Sequence, residues 1–308
     1  MGRVRTTTTR AIDLRGLWVP VVTPLGPDGR VDLASLEQLA RRLLRDGATG
    51  LVALGTTGEP ATLTAAERDD VVRTCAQVCR DLERPLVVGV GTSSTAATVA
   101  EAQHMEELVA PTAVMVVVPP YTLPSEAGVV AHLRAVAAAT TTPVIVYNVP
   151  HRTGRRLGAA ALLDLAGTPG IVGLKQAVGG LDHDTLEVLR SRPASFQVLA
   201  GDDATIVPTI LMGGSGAISA AGHLRTTAFA AMVAAALEGD AVTAAALAHD
   251  LLPIVAAGYA EPSPAVWKAA LHAAGELTTP SVRAPLLAAS PDAAATMAAA
   301  LAVAVRAR

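Results

Sequence analysis

Lysine and aromatic side chains are scarce in this chain of 308 residues: of 24 basic residues only Lys175 and Lys268 are lysines, and the rings are two Phe, two Trp and three Tyr. No run of basic residues occurs and the formal net charge is −3, so the chain offers no electrostatic footprint to nucleic acid or to an anionic membrane surface. The expected partners are small molecules or other subunits. Cysteine is limited to Cys75 and Cys79, four apart in a helical pattern, which reads as two buried thiols and fits a reducing cytoplasm. Long apolar runs are also missing. The stretch over residues 293–305 falls short of the roughly 18 to 20 residues that cross a bilayer, and a soluble protein is expected. The first ten residues, rich in Thr and Arg, lack the apolar segment of a secretory signal and read as part of a frayed tail over residues 1–12.

What remains is 51% hydrophobic and 17% charged, with a mean hydropathy of +0.43, enough apolar material for one large or two ordinary globular domains. Short runs rich in Val, Ile and Leu recur at residues 17–22, 50–55, 85–91, 113–118, 143–149, 171–175, 196–201 and 216–220. Stretches with helical periodicity separate most of them, at 32–46, 64–81, 95–108, 125–140, 159–166 and 182–190. Continuous apolar strands mark a parallel sheet buried on both faces. Eight such strand and helix units close into a TIM barrel; an open doubly wound sheet is the alternative, but residues 19–29 carry no Gly-rich dinucleotide fingerprint. Further helices are expected over 226–237, 242–257, 264–274 and 291–305. The division is therefore a tail (1–12), a (β/α)8 barrel (13–238) and a C-terminal helical extension (239–308).

In a TIM barrel the chemistry sits at the C-terminal ends of the strands. Strand two ends in Gly55-Thr56-Thr57-Gly58-Glu59, either an ordinary capped turn or a cradle of amides and hydroxyls for a small carboxylate. Tyr121 follows strand four, Tyr147 ends strand five, and Arg152 lies in the loop beyond. Taken singly, each tyrosine reads as a core-edge residue and Arg152 as a surface charge. Lys175 is more pointed. Since almost every cation here is arginine, a lysine at the end of a buried strand marks a place where guanidinium does not serve. Ordinary lysine is almost wholly protonated at pH 7, but desolvation raises the neutral fraction, and a neutral amine is what a Schiff base with a carbonyl compound needs. The bland reading is a lysine that snorkels or pairs with Glu59 or Asp202. Asp202 and Asp203 read as helix caps, and Lys268 as chance or an anchor for a helix beside the barrel.

These segments, with Tyr147-Asn148-Val149-Pro150-His151-Arg152-Thr153-Gly154, Gly173-Leu174-Lys175, Gly201-Asp202-Asp203 and Gly216-Ala217-Ile218-Ser219, resemble in order and spacing the dihydrodipicolinate synthase and N-acetylneuraminate lyase family. The resemblance runs over about residues 16–290. It implies a class I aldolase-type barrel in which Lys175 forms an imine with pyruvate and Tyr147 is the general acid and base. Thr56 relays the proton, and Tyr121 reaches across a subunit interface into a partner's site. Thr57 with its neighbouring amides holds the pyruvate carboxylate, and Arg152, Gly201 and Ile218 contribute to substrate binding. Arg152 resembles the synthase branch, whose second substrate is L-aspartate semialdehyde and whose product, 4-hydroxy-tetrahydrodipicolinate, belongs to the lysine and diaminopimelate pathway. A homotetramer, a cytoplasmic location and the lack of any metal or diffusible cofactor are further implications.

The alternatives are another pyruvate-dependent lyase or dehydratase of the family, acting on N-acetylneuraminate or a 2-keto-3-deoxy sugar acid, and a non-catalytic keto-acid-binding barrel. Asp182, His183 and Ser219 are the candidates for holding sugar hydroxyls. The chain also departs from the family pattern. Pro120 precedes Tyr121 where synthases carry a tyrosine, and Gln176 follows the lysine where many members have Glu. Ser93 and Ala97 replace the Asn and Glu of lysine-inhibited members, which argues against feedback inhibition by lysine.

Overall fold

The computed structural model describes residues 12–306. The tail expected over residues 1–12 lies, apart from Ile12, outside the described residues. Strands and helices alternate: β1 (Gly16–Pro20), α1 (Leu33–Arg45), β2 (Gly50–Ala53), α2 (Ala65–Asp81), β3 (Leu86–Val90), α3 (Thr95–Val109), β4 (Ala113–Val117), α4 (Glu126–Ala139), β5 (Val144–Asn148), the single turn α5 (Pro150–Thr153), α6 (Ala159–Ala166), β6 (Ile171–Gln176), α7 (His183–Ser191), β7 (Gln197–Ala200), α8 (Ile206–Leu211), β8 (Gly216–Ile218) and α9 (Thr226–Leu237). Three more helices follow, α10 (Ala241–Gly258), α11 (Ala265–Ala273) and α12 (Pro291–Arg306).

All eight strands are parallel and the sheet is closed, with β8 returning to β1 through the pairs Gly16↔Gly216, Leu17↔Ala217 and Trp18↔Ile218. Closure rules out the open sheet. It also explains the continuous apolar strands, because each strand buries both faces. One set of side chains, including Trp18, Val52, Val87, Met115, Ile145 and Leu199, fills the barrel interior. The other set meets the helices through residues such as Leu39, Leu43, Val72, Leu133, Leu162 and Phe229.

Six of the helices start where a side chain satisfies a first-turn amide. Asp32, Ser94, Ser125, Asp182 and Asp240 each accept a backbone N–H in the first turn of the helix that follows, and Thr64 with Glu67 forms a reciprocal capping box on α2. The helices missing from the sequence reading are the single turn α5, which fell in the loop of Arg152, and α8, whose six residues include Pro208; both are too short to display a period. Cys75 and Cys79 are free and buried on α2, as expected. Burial pushes both thiols up, Cys79 to about 12, so neither is a thiolate ready for metal or redox chemistry.

The expectation about apolar stretches needs one correction. α10 is 18 residues long with a mean hydropathy of 1.5, long and apolar enough to cross a membrane by length and composition. His249 and Asp250 broke the run in the sequence, but alanine keeps the average high. In the fold the helix packs against α9 and α12.

The barrel's closing seam carries a buried histidine. Nε2 of His223 accepts the Val22 N–H at 3.1 Å, so Nδ1 holds the proton and donates to the Ala220 carbonyl at 2.8 Å. Protonating Nε2 would set two donors against each other, and burial pushes this histidine down to about 4. The unfolded chain, with ordinary histidine near 6.5, binds the proton first as pH falls. Stability from this residue is therefore complete above pH ~6.5 and lost as pH falls towards ~4, by about 3 kcal/mol for the full displacement. Glu67, held at about 2 chiefly by its hydrogen bond from Arg283, adds a loss of the same sign below the ordinary carboxylate range. Urea unfolding at pH 7 and pH 4.5 is expected to show a clearly lower midpoint in acid, and a flat profile would refute the buried neutral imidazole.

Candidate active site

The C-terminal ends of β5 and β6 are adjacent, and their register puts Tyr147 directly beside Lys175 and Asn148 beside Gln176. Nζ of Lys175 stands 4.5 Å from the centre of the Tyr147 ring, within cation–π range. Lys175 is 7% exposed. Among the described residues it makes no ion pair, and Glu59 is engaged elsewhere, by Lys268. Asp202 accepts the Gly179 N–H at 2.8 Å. The reading of Lys175 as one half of an ion pair with Glu59 or Asp202 is thereby overturned.

Lys175 opens into a cavity of ≈ 270 Å³, and Thr56, Thr57, Tyr147, Arg152, Gly201 and Ile218 also line it. The turn after β2, the end of β5, α5 and the ends of β7 and β8 thus converge on the amine. Thr56 and Thr57 begin a single 3-10 turn after β2, whose first amides have no partner within the turn. Thr23 pins the turn from the β1 side by donating its hydroxyl to the Gly58 carbonyl at 2.7 Å. Arg152, carried on α5, is exposed and makes no ion pair among the described residues; its guanidinium is uncommitted at the mouth of the cavity. Beyond Thr56 and Tyr147 lies a second cavity of ≈ 350 Å³, reaching Ser93 and the ion pair of Arg68 with Glu101.

Tyr121 is the exception among the residues singled out in the sequence. It is 92% exposed, with a left-handed φ of 69°, and does not line the cavity that holds Lys175. Leu123 beside it is also exposed and left-handed. In a non-glycine residue such backbone is costly, and here it carries the tyrosine outwards on a protruding loop.

The aspartates after β7 are not helix caps. Asp202 makes no cap hydrogen bond and instead ties down the β6 loop at Gly179. Asp203 is buried; its Oδ2 accepts the Tyr259 hydroxyl at 2.8 Å and the Ala221 N–H at 3.2 Å. Burial raises the Asp203 carboxyl, and burial with that carboxylate raises Tyr259 as well. Tyr259 lines the cavity together with His151 and Ser263. Partial burial first, and then Arg152, hold His151 below the ordinary histidine range. Sequence reasoning missed Tyr259, which stands just after α10 and comes to the cavity only through the docking of the C-terminal helices. Its one signal was rarity, as the third of three tyrosines.

Of the candidates for sugar hydroxyls, His183 starts α7 with an exposed side chain, and the other two are committed elsewhere. Asp182 caps α7 and pairs with Arg156, and buried Ser219 accepts the Gly222 N–H at 3.1 Å. Gln176 accepts from Asn148 and donates to Thr185, both at 2.9 Å, while the Thr185 hydroxyl donates to Asp182. A carboxylate at position 176 has no proton to donate to Thr185, which gives the departure from Glu a physical reason. Among the described residues no three His, Cys, Asp or Glu side chains cluster as a metal site.

Comparison with known proteins agrees with the closed barrel. The model of the dihydrodipicolinate synthetase family matches residues 13–304. The 4-hydroxy-tetrahydrodipicolinate synthase of Moorella thermoacetica is 41% identical over 281 residues, covering 91% of this chain and 95% of that one. A dihydrodipicolinate synthase structure from Bacillus anthracis superposes with a TM-score of 0.89 at 31% identity, over 94% of this chain and 98% of its own. A second, from Acinetobacter baumannii and complexed with pyruvate, gives 0.91 at 31% identity, over 94% and 99%.

Proposed function

The chain belongs to the dihydrodipicolinate synthetase family, and from that membership we propose that it condenses pyruvate with L-aspartate semialdehyde to 4-hydroxy-tetrahydrodipicolinate through a Schiff base on Lys175. The observation that carries this reading is the unpaired, buried Lys175 amine against the Tyr147 ring, opening into a cavity shared with Thr56, Thr57 and an uncommitted Arg152. The neutral amine adds to the keto carbon of pyruvate. Tyr147 delivers the proton with which the hydroxyl leaves as water, and loss of a methyl proton from the iminium gives the enamine that attacks the aldehyde. Thr57 and the amides of its turn hold the pyruvate carboxylate, Gly201 and Ile218 wall the pocket, and Thr56 passes protons to and from Tyr147. Each hydroxyl in such a relay both accepts and donates, so a proton moves without leaving an unpaired buried charge. The amine itself activates the keto group, so the proposed reaction calls for no metal or diffusible cofactor.

A sugar-acid substrate finds less support, because Asp182 and Ser219 are already committed to backbone and ion-pair contacts. Arg152 matches a carboxylate at the far end of a short aldehyde, where a guanidinium fork binds in bidentate fashion. Replacing Arg152 by alanine is expected to raise the KM for L-aspartate semialdehyde by about tenfold or more while pyruvate imine formation continues unchanged. Steady-state kinetics against each substrate checks this, and unaltered kinetics with the aldehyde would remove Arg152 from the site.

The outward loop of Tyr121 supports assembly, since a relay that includes this residue needs the partner subunit's Tyr121. We assign a homotetramer, a dimer of dimers, working in the cytoplasm. The direct test is incubation with pyruvate and borohydride, peptide mapping of the adduct, and a parallel turnover assay with L-aspartate semialdehyde. An adduct on Lys175 with turnover supports the whole reading. An adduct without turnover moves the second substrate to another aldehyde or sugar acid, and no adduct at all overturns the imine.

A further inference from the structure

Lys268 is the only other lysine, and the reaction does not use it. It lies on α11, outside the barrel strands, and is fully buried, with Nζ 2.7 Å from Oε1 of Glu59. Among the described residues this is the only ion pair with both side chains less than a tenth exposed. Two buried charges are costly to desolvate, and a well-packed apolar pair is often as stable. Stability alone is a weak account of it. Glu59 is the residue that closes the 3-10 turn of Thr56 and Thr57, and it does so with a left-handed φ of 56°. Its second oxygen accepts the Arg283 N–H at 2.9 Å, and the Arg283 side chain bonds the Thr62 and Gly29 carbonyls, both at 2.9 Å. The turn is thus fastened on one side by Thr23 from the β1 loop and on the other by α11 and the segment before α12.

We propose that the buried pair of Lys268 and Glu59 sets the position of the Thr56 and Thr57 turn, which makes Lys268 a positioning residue for the carboxylate of the keto acid. This rests on the reading of that turn as the pyruvate carboxylate site. It gives the C-terminal helices a task in the chemistry: α11 holds one wall of a site that belongs to β2. A fixed charge pair suits the task because it tolerates only a narrow range of distance and direction, whereas an apolar contact lets the turn slide.

The test compares the unmodified protein with Lys268→Met, Glu59→Gln and the double variant Glu59→Gln/Lys268→Met. Three quantities are read: the thermal midpoint, the pyruvate concentration that half-saturates borohydride trapping on Lys175, and kcat with the KM for each substrate. Each single variant leaves a buried charge unpaired and is expected to lose stability. The double variant removes both charges and should regain much of that stability, yet its half-saturating pyruvate concentration should stay raised by about tenfold. In the double variant the KM for the aldehyde should remain within about twofold of the unmodified protein, while kcat should fall, because Thr56, the proposed proton relay, sits in the same turn. A purely structural pair would instead let pyruvate dependence recover together with stability. Recovery of both in the double variant overturns the inference even where a single variant fails to fold. Absence of trapping in the unmodified protein would overturn the imine reading, and the inference with it.

Discussion

Replacing Lys175 by arginine is expected to abolish the borohydride adduct with pyruvate and to lower turnover by at least about four orders of magnitude, because the proposed nucleophile itself is removed. Arginine keeps the positive charge, the apolar stem and the capacity to lie over an aromatic face, so the contact with Tyr147 at 4.5 Å has a close substitute. It cannot release a proton in the accessible pH range and therefore offers no lone pair to a keto carbon. The variant separates charge from nucleophilicity. Circular dichroism and the thermal midpoint should show a folded barrel, and mass spectrometry should show no pyruvate adduct. Residual turnover near the unmodified level would refute Lys175 as the imine-forming residue.

Replacing Tyr147 by phenylalanine has the next largest expected effect. Tyr147 is a buried member of the barrel interior, and phenylalanine keeps the ring there, so a stable protein is expected. What disappears is the hydroxyl proposed to give and take protons beside Lys175. Loss of a positioned general acid and base costs about 100- to 10,000-fold in kcat. Pyruvate should still bind, since Thr57 and its turn are untouched, and the imine should form slowly instead of not at all. Single-turnover trapping at saturating pyruvate reads this rate directly. A rate within a few-fold of the unmodified protein would move the proton chemistry to another group, with Tyr259 and Asp203, already hydrogen-bonded at 2.8 Å beside the same cavity, the nearest alternatives.

Both predictions concern residues that the sequence made visible, and the reason is local. Lys175 and Tyr147 each end a continuous apolar strand, and a polar group at that place in a barrel breaks the pattern that burial imposes. The turn of Thr56 and Thr57 was legible in the same way, from its glycines and hydroxyls just after β2. Asp202 and Asp203 misled, because an aspartate before a helical stretch usually caps it. Here the tertiary contacts with Gly179, Tyr259 and Ala221 claim both carboxylates instead. Gln176 likewise seemed a mere departure from pattern until its amide was seen accepting from Asn148 and donating to Thr185.

By itself the amino-acid sequence determined the eight apolar strands, the helices between most of them and the place of Lys175 at the end of one strand, since each depends on residues close together in the chain. Closure, by contrast, joins β1 to β8 across about 200 residues and was decided by the tertiary structure. Only the tertiary structure decided what meets that amine from afar. Tyr259 reaches the cavity from the end of α10, and Lys268 meets Glu59 across 209 residues of sequence. The long helix α10, apolar enough on average to span a bilayer, lies against α9 and α12. Periodicity records which face of an element is buried, but it carries no information about which distant side chain will share that burial. That choice is made when the C-terminal helices dock on the barrel, where the two charges of Lys268 and Glu59, each costly to bury alone, are buried together.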